Sequence, residues 1–158
     1  GQVKPEHLIN LNAFGIICFQ VLISFFMRKT SPLTSIIVGV SVTVASFGLY
    51  LVGMSGWIVV TAILVFSVGE MMASPRSKEY AGRIAPPEKV GMYMGYFYWC
   101  VALGHLFGGL LSGQAYQYFG PQGIDKPDLM WIIFAALAAS TAISLVIYNR
   151  WVTSDKSA

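Results

Sequence analysis

The chain has 158 residues, of which 56% are hydrophobic and 11% are charged, and its mean hydropathy is +0.65. A soluble domain carries about 25% charged residues, so this composition argues against a soluble globular enzyme and against a disordered tail. Two cysteines are too few for a secreted disulfide scaffold, and a formal net charge of +3 is too small to indicate binding to nucleic acid.

The hydrophobic residues are concentrated in five long runs. Each run has the length of about 20 residues that an α-helix needs to cross the hydrocarbon core of a bilayer. Polar or helix-breaking residues separate the runs, which cover residues 8–27, 35–54, 57–74, 91–113 and 129–148. Lipid offers no water to the backbone, and none of the runs alternates as a barrel strand does, so each is expected to be helical. The sequence predicts an all-α, polytopic membrane bundle of five transmembrane helices.

The basic residues predict the orientation of these helices. Because successive helices cross the membrane in opposite directions, the basic residues fall on two sides. One side receives Arg28, Lys29, Arg76, Lys78, Arg83, Lys89, Arg150 and Lys156, and the other receives Lys4 and Lys126. Short loops rich in Lys and Arg remain in the cytoplasm. We therefore expect an integral protein of the plasma or inner membrane, with its first residue outside, residues 75–90 as a cytoplasmic loop and its C-terminus in the cytoplasm.

The beginning of the chain predicts a fragment. The sequence starts with Gly1 rather than Met and, in this orientation, starts outside without a signal peptide ahead of the first run. At least one earlier span is needed to bring the chain out. An N-terminal transmembrane part is therefore expected to be missing.

Glu70 is the only acid within the five runs. A charged residue near the membrane centre costs about 2.5–3.5 kcal/mol on the insertion scale, and its default interpretation is functional. Apolar surroundings raise a carboxyl pKa and a nearby cation lowers it, so a group between these influences can load and release a proton. The alternative is a structural ion pair or hydrogen bond, with Arg76 or Lys78 as candidate partners. Pro75 predicts a kink or an end, and a kinked helix would continue to Ile84.

Other polar and aromatic side chains lie within the apolar runs. Gln20 lies near mid-depth in the first run and His105 near mid-depth in the fourth, and both are candidates to line a cavity. Tyr98 and Trp99 are further candidates because they lie deeper than an interfacial aromatic belt. The alternative for Gln20 and His105 is helix packing, in which neighbouring helices satisfy the polar groups.

Small residues predict close helix packing in two runs. The fourth run contains three G-x-x-x-G units, which let two helices approach backbone to backbone, formed by Gly91, Gly95, Gly104, Gly108, Gly109 and Gly113. The second run has small and hydroxyl residues, among them Gly39 and Thr43. No catalytic set, nucleotide motif or metal-ligand spacing stands in a usable context, so we expect no enzyme activity, no cofactor and no metal.

The third and fourth runs and their connection read GEMMASPRSKEYAGRIAPPEKVGMYMGYFYWCVALGHLFGG. This stretch resembles transmembrane helices ten and eleven of the proton-dependent oligopeptide transporter branch of the major facilitator superfamily. The resemblance implies that the five runs are helices eight to twelve of a twelve-helix fold, its C-terminal half. It also implies that Glu70 helps to bind the substrate amino group or to couple protons. Phe97 and His105 replace the Trp and Asn of the branch's pattern.

These observations predict part of a secondary active transporter. The expected activity is proton-coupled symport of a small polar solute by alternating access, with the bilayer, the solute, protons and the missing N-terminal half as partners. One alternative is a membrane scaffold or partner subunit without transport activity. Another is a transporter of the same superfamily for a sugar, drug or organic anion.

Overall fold

Over the residues that it describes, the computed structural model contains five α-helices and one 3-10 turn. Its backbone is described for residues 5–53, 55–121 and 123–154, and its side chains for residues 10, 12–53, 55–121 and 123–152. The helices are α1 (Pro5–Met27), α2 (Pro32–Val52), α3 (Gly56–Ile84), α4 (Val90–Phe119) and α5 (Pro127–Ser154), with the 3-10 turn at Pro87–Lys89. The predicted all-α helix bundle is therefore confirmed.

Four helices are long and apolar enough to cross a membrane within the described part of the chain. They are Pro32–Val52, Gly56–Ile84, Pro87–Phe119 and Pro127–Val152, where the third includes the 3-10 turn. In α1 the described apolar stretch, Asn12–Met27, is shorter than the length of these four. The first of the five predicted crossings therefore stays a prediction.

Local sequence signals account for where α2 begins and how far α3 runs. The hydroxyl of Ser31 accepts a hydrogen bond from the Thr34 amide at 3.2 Å, and Pro32 occupies the first turn, where its missing N–H costs nothing. Pro75 lies inside α3 without ending it, and the helix continues to Ile84 as the kinked-helix alternative predicted. The Pro86-Pro87 pair follows the end of α3 directly and cannot extend it.

Helices α2 and α3 cross at two glycines. A methyl group built on Gly39 would lie 2.7 Å from the carbonyl oxygen of Gly69 and 2.9 Å from the amide nitrogen of Ala73. A methyl group on Gly69 would lie 2.6 Å from the Thr43 hydroxyl and 2.7 Å from the Gly39 carbonyl oxygen. These separations are too short for a real Cβ, so the two backbones approach as closely as they do because neither residue has a side chain. Since Gly39 meets Ala73 and the later Thr43 meets the earlier Gly69, the two helices are antiparallel.

Helix α1 runs parallel to α3 and is joined to it by polar contacts. The hydroxyl of Ser67 donates to the side-chain oxygen of Asn12, and further along both helices the Gln20 amide donates to the Met71 carbonyl at 3.2 Å. At the last residue of α1, the carbonyl of Met27 accepts a hydrogen bond from the guanidinium of Arg76, which lies further along α3. Because later residues of α1 contact later residues of α3, the two helices run in the same direction.

Helix α5 packs along α2 through aromatic rings. The rings of Tyr50 and Trp131 stack with centroids 4.0 Å apart, and Phe47 contacts both Trp131 and Phe134 at 6.3 Å. Such ring pairs contribute about 0.5–1.5 kcal/mol each beyond the area they bury. These contacts join the end of α2 to the beginning of α5, so the two helices are antiparallel.

The connections of the bundle therefore alternate between two ends. The hydroxyls of Tyr80 and Tyr148 are 2.9 Å apart, which brings the last turns of α3 and α5 together. We call this the basic end: it contains the ends of α1, α3 and α5 and the beginnings of α2 and α4. Its connections carry Arg28, Lys29 and Lys89, and the end of α3 carries Lys78 and Arg83. By the rule for basic loops, the basic end is predicted to be cytoplasmic.

Helix α4 has exposed side chains along most of its described length. Among its described residues only Ala115 is buried, although its sequence is apolar along most of its length. Large side chains such as Phe107 and Leu106 are more than half exposed within this chain. An apolar helix with this exposure requires lipid or other protein segments around it.

Candidate functional site

Glu70 is exposed on α3 between two buried neighbours, Gly69 and Met71. Among the described side chains, no hydrogen bond or ion pair joins its carboxyl group to another residue. Arg76, one of the two cations considered as its partner, instead binds Glu79 at 2.6 Å. Glu70 therefore lies within an apolar helix as an accessible carboxyl group on the surface of the described bundle.

Gln20 packs against the backbone of α3 one residue after Glu70. Its amide nitrogen donates to the Met71 carbonyl at 3.2 Å and to the Ser24 hydroxyl at 3.0 Å. These bonds satisfy the amide in the way that the packing alternative predicted. They also bring Gln20 to the backbone of the residue that follows Glu70 in α3, whereas no bond between the Gln20 and Glu70 side chains is found among the described residues.

The predicted site residues on α4 lie apart from this pair. Tyr98 and Trp99 are 53% and 69% exposed, and His105 is also exposed. Tyr98 and His105 are seven residues apart, so they share one face of α4. The face turned toward the rest of the bundle carries Phe97 and Cys100 instead. Within the described residues, no hydrogen bond or ion pair joins these three side chains to Glu70, and their proposed role as lining residues stays a prediction.

The six glycines of the fourth run face open space within the described chain. A methyl group built on any of them would meet no atom within 4 Å outside its own helix, and this holds for Gly91, Gly95, Gly104, Gly108, Gly109 and Gly113. The close approach that G-x-x-x-G units permit is found here between α2 and α3 instead. That the α4 glycines pack against another helix stays a prediction.

One polar cluster, at the basic end, was not predicted as a unit. Arg76 donates to the Met27 carbonyl and to Glu79, and Arg83 binds the other oxygen of Glu79 at 2.7 Å. The Arg76 guanidinium beside Glu79 is the main reason that the pKa of this carboxyl lies below its ordinary value. The i,i+3 and i,i+4 spacing within Arg76, Glu79 and Arg83 is the signal from which the ion pairs could have been predicted. The bond to α1 leaves no signal in the sequence.

Loss of Arg76 is expected to destabilise the protein much more than loss of Arg83. Arg76 is only 12% exposed and binds a charged group and a helix-end carbonyl, and hydrogen bonds of this kind contribute about 1.5–3 kcal/mol. Arg83 is 65% exposed and forms one surface pair, which contributes about 0–1 kcal/mol. Thermal unfolding of full-length Arg76→Gln and Arg83→Gln variants in detergent tests this difference. Equal losses of Tm would contradict it.

The depressed pKa of Glu79 also predicts how this difference depends on pH. The carboxylate stabilises the folded state fully above its ordinary pKa of 4.5, and this contribution is lost as the pH falls through its lower folded value. Acidification should therefore reduce the difference in Tm between the unaltered protein and the Arg76→Gln variant. A difference that does not change with pH would show that Glu79 contributes nothing to it.

No group of three or more His, Cys, Asp or Glu side chains within the described residues could hold a metal ion. The site consists instead of a carboxyl group and an amide on two parallel, apolar helices. An arrangement of this kind can exchange a proton and donate or accept hydrogen bonds, and it supplies no nucleophile paired with a base.

Comparison with known proteins identifies the class to which this helical bundle belongs. The sequence profile of the Major Facilitator Superfamily matches residues 7–158, and the chain belongs to this superfamily. It is similar to YttB of Bacillus subtilis, an uncharacterized MFS-type transporter, with 25% identity over 94% of this chain and 36% of that protein. It is also similar to YqjV of the same organism, another uncharacterized MFS-type transporter, with 26% identity over 87% of this chain and 32% of that protein.

The chain thus spans about a third of the length of the curated relatives that it matches. No solved structure gave a significant match. The relatives carry the names of transporters, not enzymes, which agrees with the expectation from the sequence.

Proposed function

We propose that this chain is part of a proton-coupled symporter that moves a small polar solute across a membrane by alternating access. The observation that carries the proposal is the carboxyl group of Glu70, which is exposed on an apolar helix and has no bonded partner among the described side chains. Such a residue is expensive to place in a membrane and is retained where it contacts an ion, a solute or a water-filled cavity. Membership of the superfamily supports transport as the activity.

In this proposal, Glu70 binds the coupling proton and the amide of Gln20 positions the segment. Gln20 holds α1 to the backbone of α3 one residue from Glu70, so a change in the packing of α1 would alter the surroundings of the carboxyl group. Protonation removes the charge, which lowers the cost of exposing Glu70 to an apolar environment while the transporter reorients. Tyr98, Trp99 and His105 would complete the solute cavity from α4.

We also propose that the five helices correspond to helices eight to twelve of a twelve-helix transporter. The support is the resemblance of residues 69–109 to the oligopeptide branch and the share of the relatives that this chain covers. The exposure of α4 agrees with this, because a helix exposed on most of its surface has room for further transmembrane segments. Solute would then bind between this bundle and the other half of the protein.

The solute class can be tested by ligand-dependent stability of the full-length protein. Binding to the folded state alone raises stability by about 2.7 kcal/mol at a hundredfold excess over Kd. We expect a small polar solute such as alanylalanine to raise Tm, and glucose and tetraphenylphosphonium to leave it unchanged. Stabilisation by glucose alone would favour a sugar transporter. Stabilisation by the apolar cation alone would favour a drug transporter, and stabilisation by citrate alone an organic anion transporter. No response to any of them, together with no uptake in vesicles, would favour the scaffold alternative.

A further inference from the structure

A cavity lies at the basic end, away from Glu70. It has a volume of about 450 Å³, within the range typical of small-molecule sites, and four helices contribute to its walls. Most of the lining is apolar, and each helix contributes to it, for example through Ile36 of α2, Ala81 of α3, Cys100 of α4 and Leu145 of α5. Ser77 lies in the wall seven residues after Glu70, which is about 10 Å further along α3. The cavity is therefore separate from the proposed proton site.

Two tyrosine hydroxyls give this apolar cavity a polar edge. Tyr80 and Tyr148 both line the cavity, and their hydroxyl oxygens are 2.9 Å apart. One hydroxyl donates its proton to the other, so the accepting hydroxyl still has a proton that it can donate elsewhere. The edge of the cavity can therefore donate a hydrogen bond to an oxygen of a bound molecule.

The charge around this edge is positive. Arg83 directly precedes the lining residue Ile84, and Lys89 lies at the start of α4 close to the lining residue Tyr93 in sequence. Arg76 and Arg83 share the single acid Glu79, so this network has an excess of one positive charge. A ligand that fits the site has an apolar body for the cavity and an anionic, oxygen-rich group for its rim.

From these features we infer that the cavity binds an anionic phospholipid, with an acyl chain among the apolar walls and the phosphate at the Tyr80–Tyr148 hydroxyls. Basic pockets between transmembrane helices at the cytoplasmic side are suited to anionic headgroups. In the predicted orientation, the basic end lies at the cytoplasmic surface, where such headgroups are found. The inference goes beyond the proposed transport function, because neither Glu70 nor a transported solute takes part in it.

The test measures lipid binding to the full-length protein after removal of endogenous lipid in detergent. Native mass spectrometry would follow titrations with dioleoylphosphatidylglycerol and with dioleoylphosphatidylcholine, which share their acyl chains and differ in headgroup charge. We expect phosphatidylglycerol to bind about tenfold more tightly, because its headgroup carries a net negative charge that the basic rim attracts, whereas the choline of phosphatidylcholine cancels the phosphate charge. Equal binding of the two lipids would overturn the inference.

Variants locate the binding within the molecule. Ala81→Phe fills the cavity and is expected to weaken phosphatidylglycerol binding about tenfold, whereas the matched control Ala136→Phe, at an exposed position on α5, leaves it unchanged. Phosphatidylglycerol binding to Ala81→Phe as tight as to the control would place the lipid elsewhere and overturn the inference. If Ala81→Phe does not fold, the Tyr80→Phe/Tyr148→Phe variant decides, because it keeps the shape and removes both hydroxyls. Phosphatidylglycerol binding to that variant as tight as to the unaltered protein would contradict the proposed phosphate contact.

Discussion

Replacing Glu70 by glutamine is expected to abolish solute accumulation driven by a pH gradient in vesicles that contain the full-length protein. Glutamine has nearly the shape of the acid and retains hydrogen bonding, but it cannot load and release a proton. Uptake down a solute gradient should continue, because that process needs no coupling proton. The accumulation ratio should therefore fall to about one, the value for simple equilibration, whereas the unaltered protein concentrates the solute. The measurement uses the solute that the stability screen selects.

A matched acid provides the control for this experiment. Glu88 lies in the 3-10 turn between α3 and α4, outside the apolar part of the bundle, and is exposed. Glu88→Gln makes the same chemical change and should leave accumulation intact. Misfolding is not expected to explain a loss at residue 70, because removal of a charge from an apolar span lowers its insertion cost. Undiminished gradient-driven accumulation by Glu70→Gln would disprove the coupling role.

A methyl group added at the crossing of α2 and α3 is expected to cause a large loss of stability. Gly69→Ala would bring a Cβ within 2.7 Å of a backbone carbonyl oxygen, and a backbone cannot move aside as the end of a flexible side chain can. Overpacking of this kind costs about 1–3 kcal/mol. In a domain of this size, each kcal/mol lowers Tm by roughly 2–4 °C. Thermal unfolding of the full-length variants in detergent provides the measurement.

Two glycines on the same helices serve as controls for this crossing. A methyl group added at Gly48 of α2 or at Gly82 of α3 would have no atom within 4 Å outside its own helix. Alanine at these positions should be neutral or stabilise the helix by up to about 1 kcal/mol, since alanine has the higher helix propensity. If Gly39→Ala and Gly69→Ala had the same Tm as these controls, the two helices would not be in close backbone contact.

Hydropathy predicted the number and order of the helices better than their lengths. The predicted runs at residues 57–74 and 91–113 correspond to the helices Gly56–Ile84 and Val90–Phe119, which are longer. The reason is physical: an apolar run measures the thickness of hydrocarbon that a helix must match, whereas backbone hydrogen bonds continue into polar sequence. The extension of α3 beyond Pro75 is such a polar continuation of a helix, and Arg76, Glu79 and Arg83 form ion pairs along its surface.

The rotation of each helix about its own axis was much harder to predict. Spacing shows that Gly91 and Gly95 share a face of α4, but it does not show what that face meets. Gly39 was expected to lie in a packing surface, and its actual partner, Gly69, has no spacing pattern that distinguishes it. The contact depends on which sides of two separate helices meet, and helices that are apolar all round carry little information about this.

The candidate site was predictable as a set of residue types and only partly as an arrangement. An acid in an apolar run is conspicuous in any membrane sequence, so Glu70 could be selected directly. That Gln20 binds the backbone at Met71 depends on the parallel packing of α1 and α3, which no local pattern encodes. The spacing of Tyr98 and His105 places them on one face of α4. That this face lines a solute cavity is still a prediction.

The alternating directions of the helices have a consequence for what each aqueous compartment encounters. Four segments of the described chain reach the same surface of the bilayer: loop 28–31, the polar end of α3, the turn before α4 and the last turn of α5. A kinase, protease or binding protein in that compartment would meet these four segments together. Within the described residues, the opposite compartment would meet the beginnings of α1, α3 and α5 and the ends of α2 and α4. In this part of the chain, most of the basic side chains open to soluble factors would therefore lie on one side of the membrane.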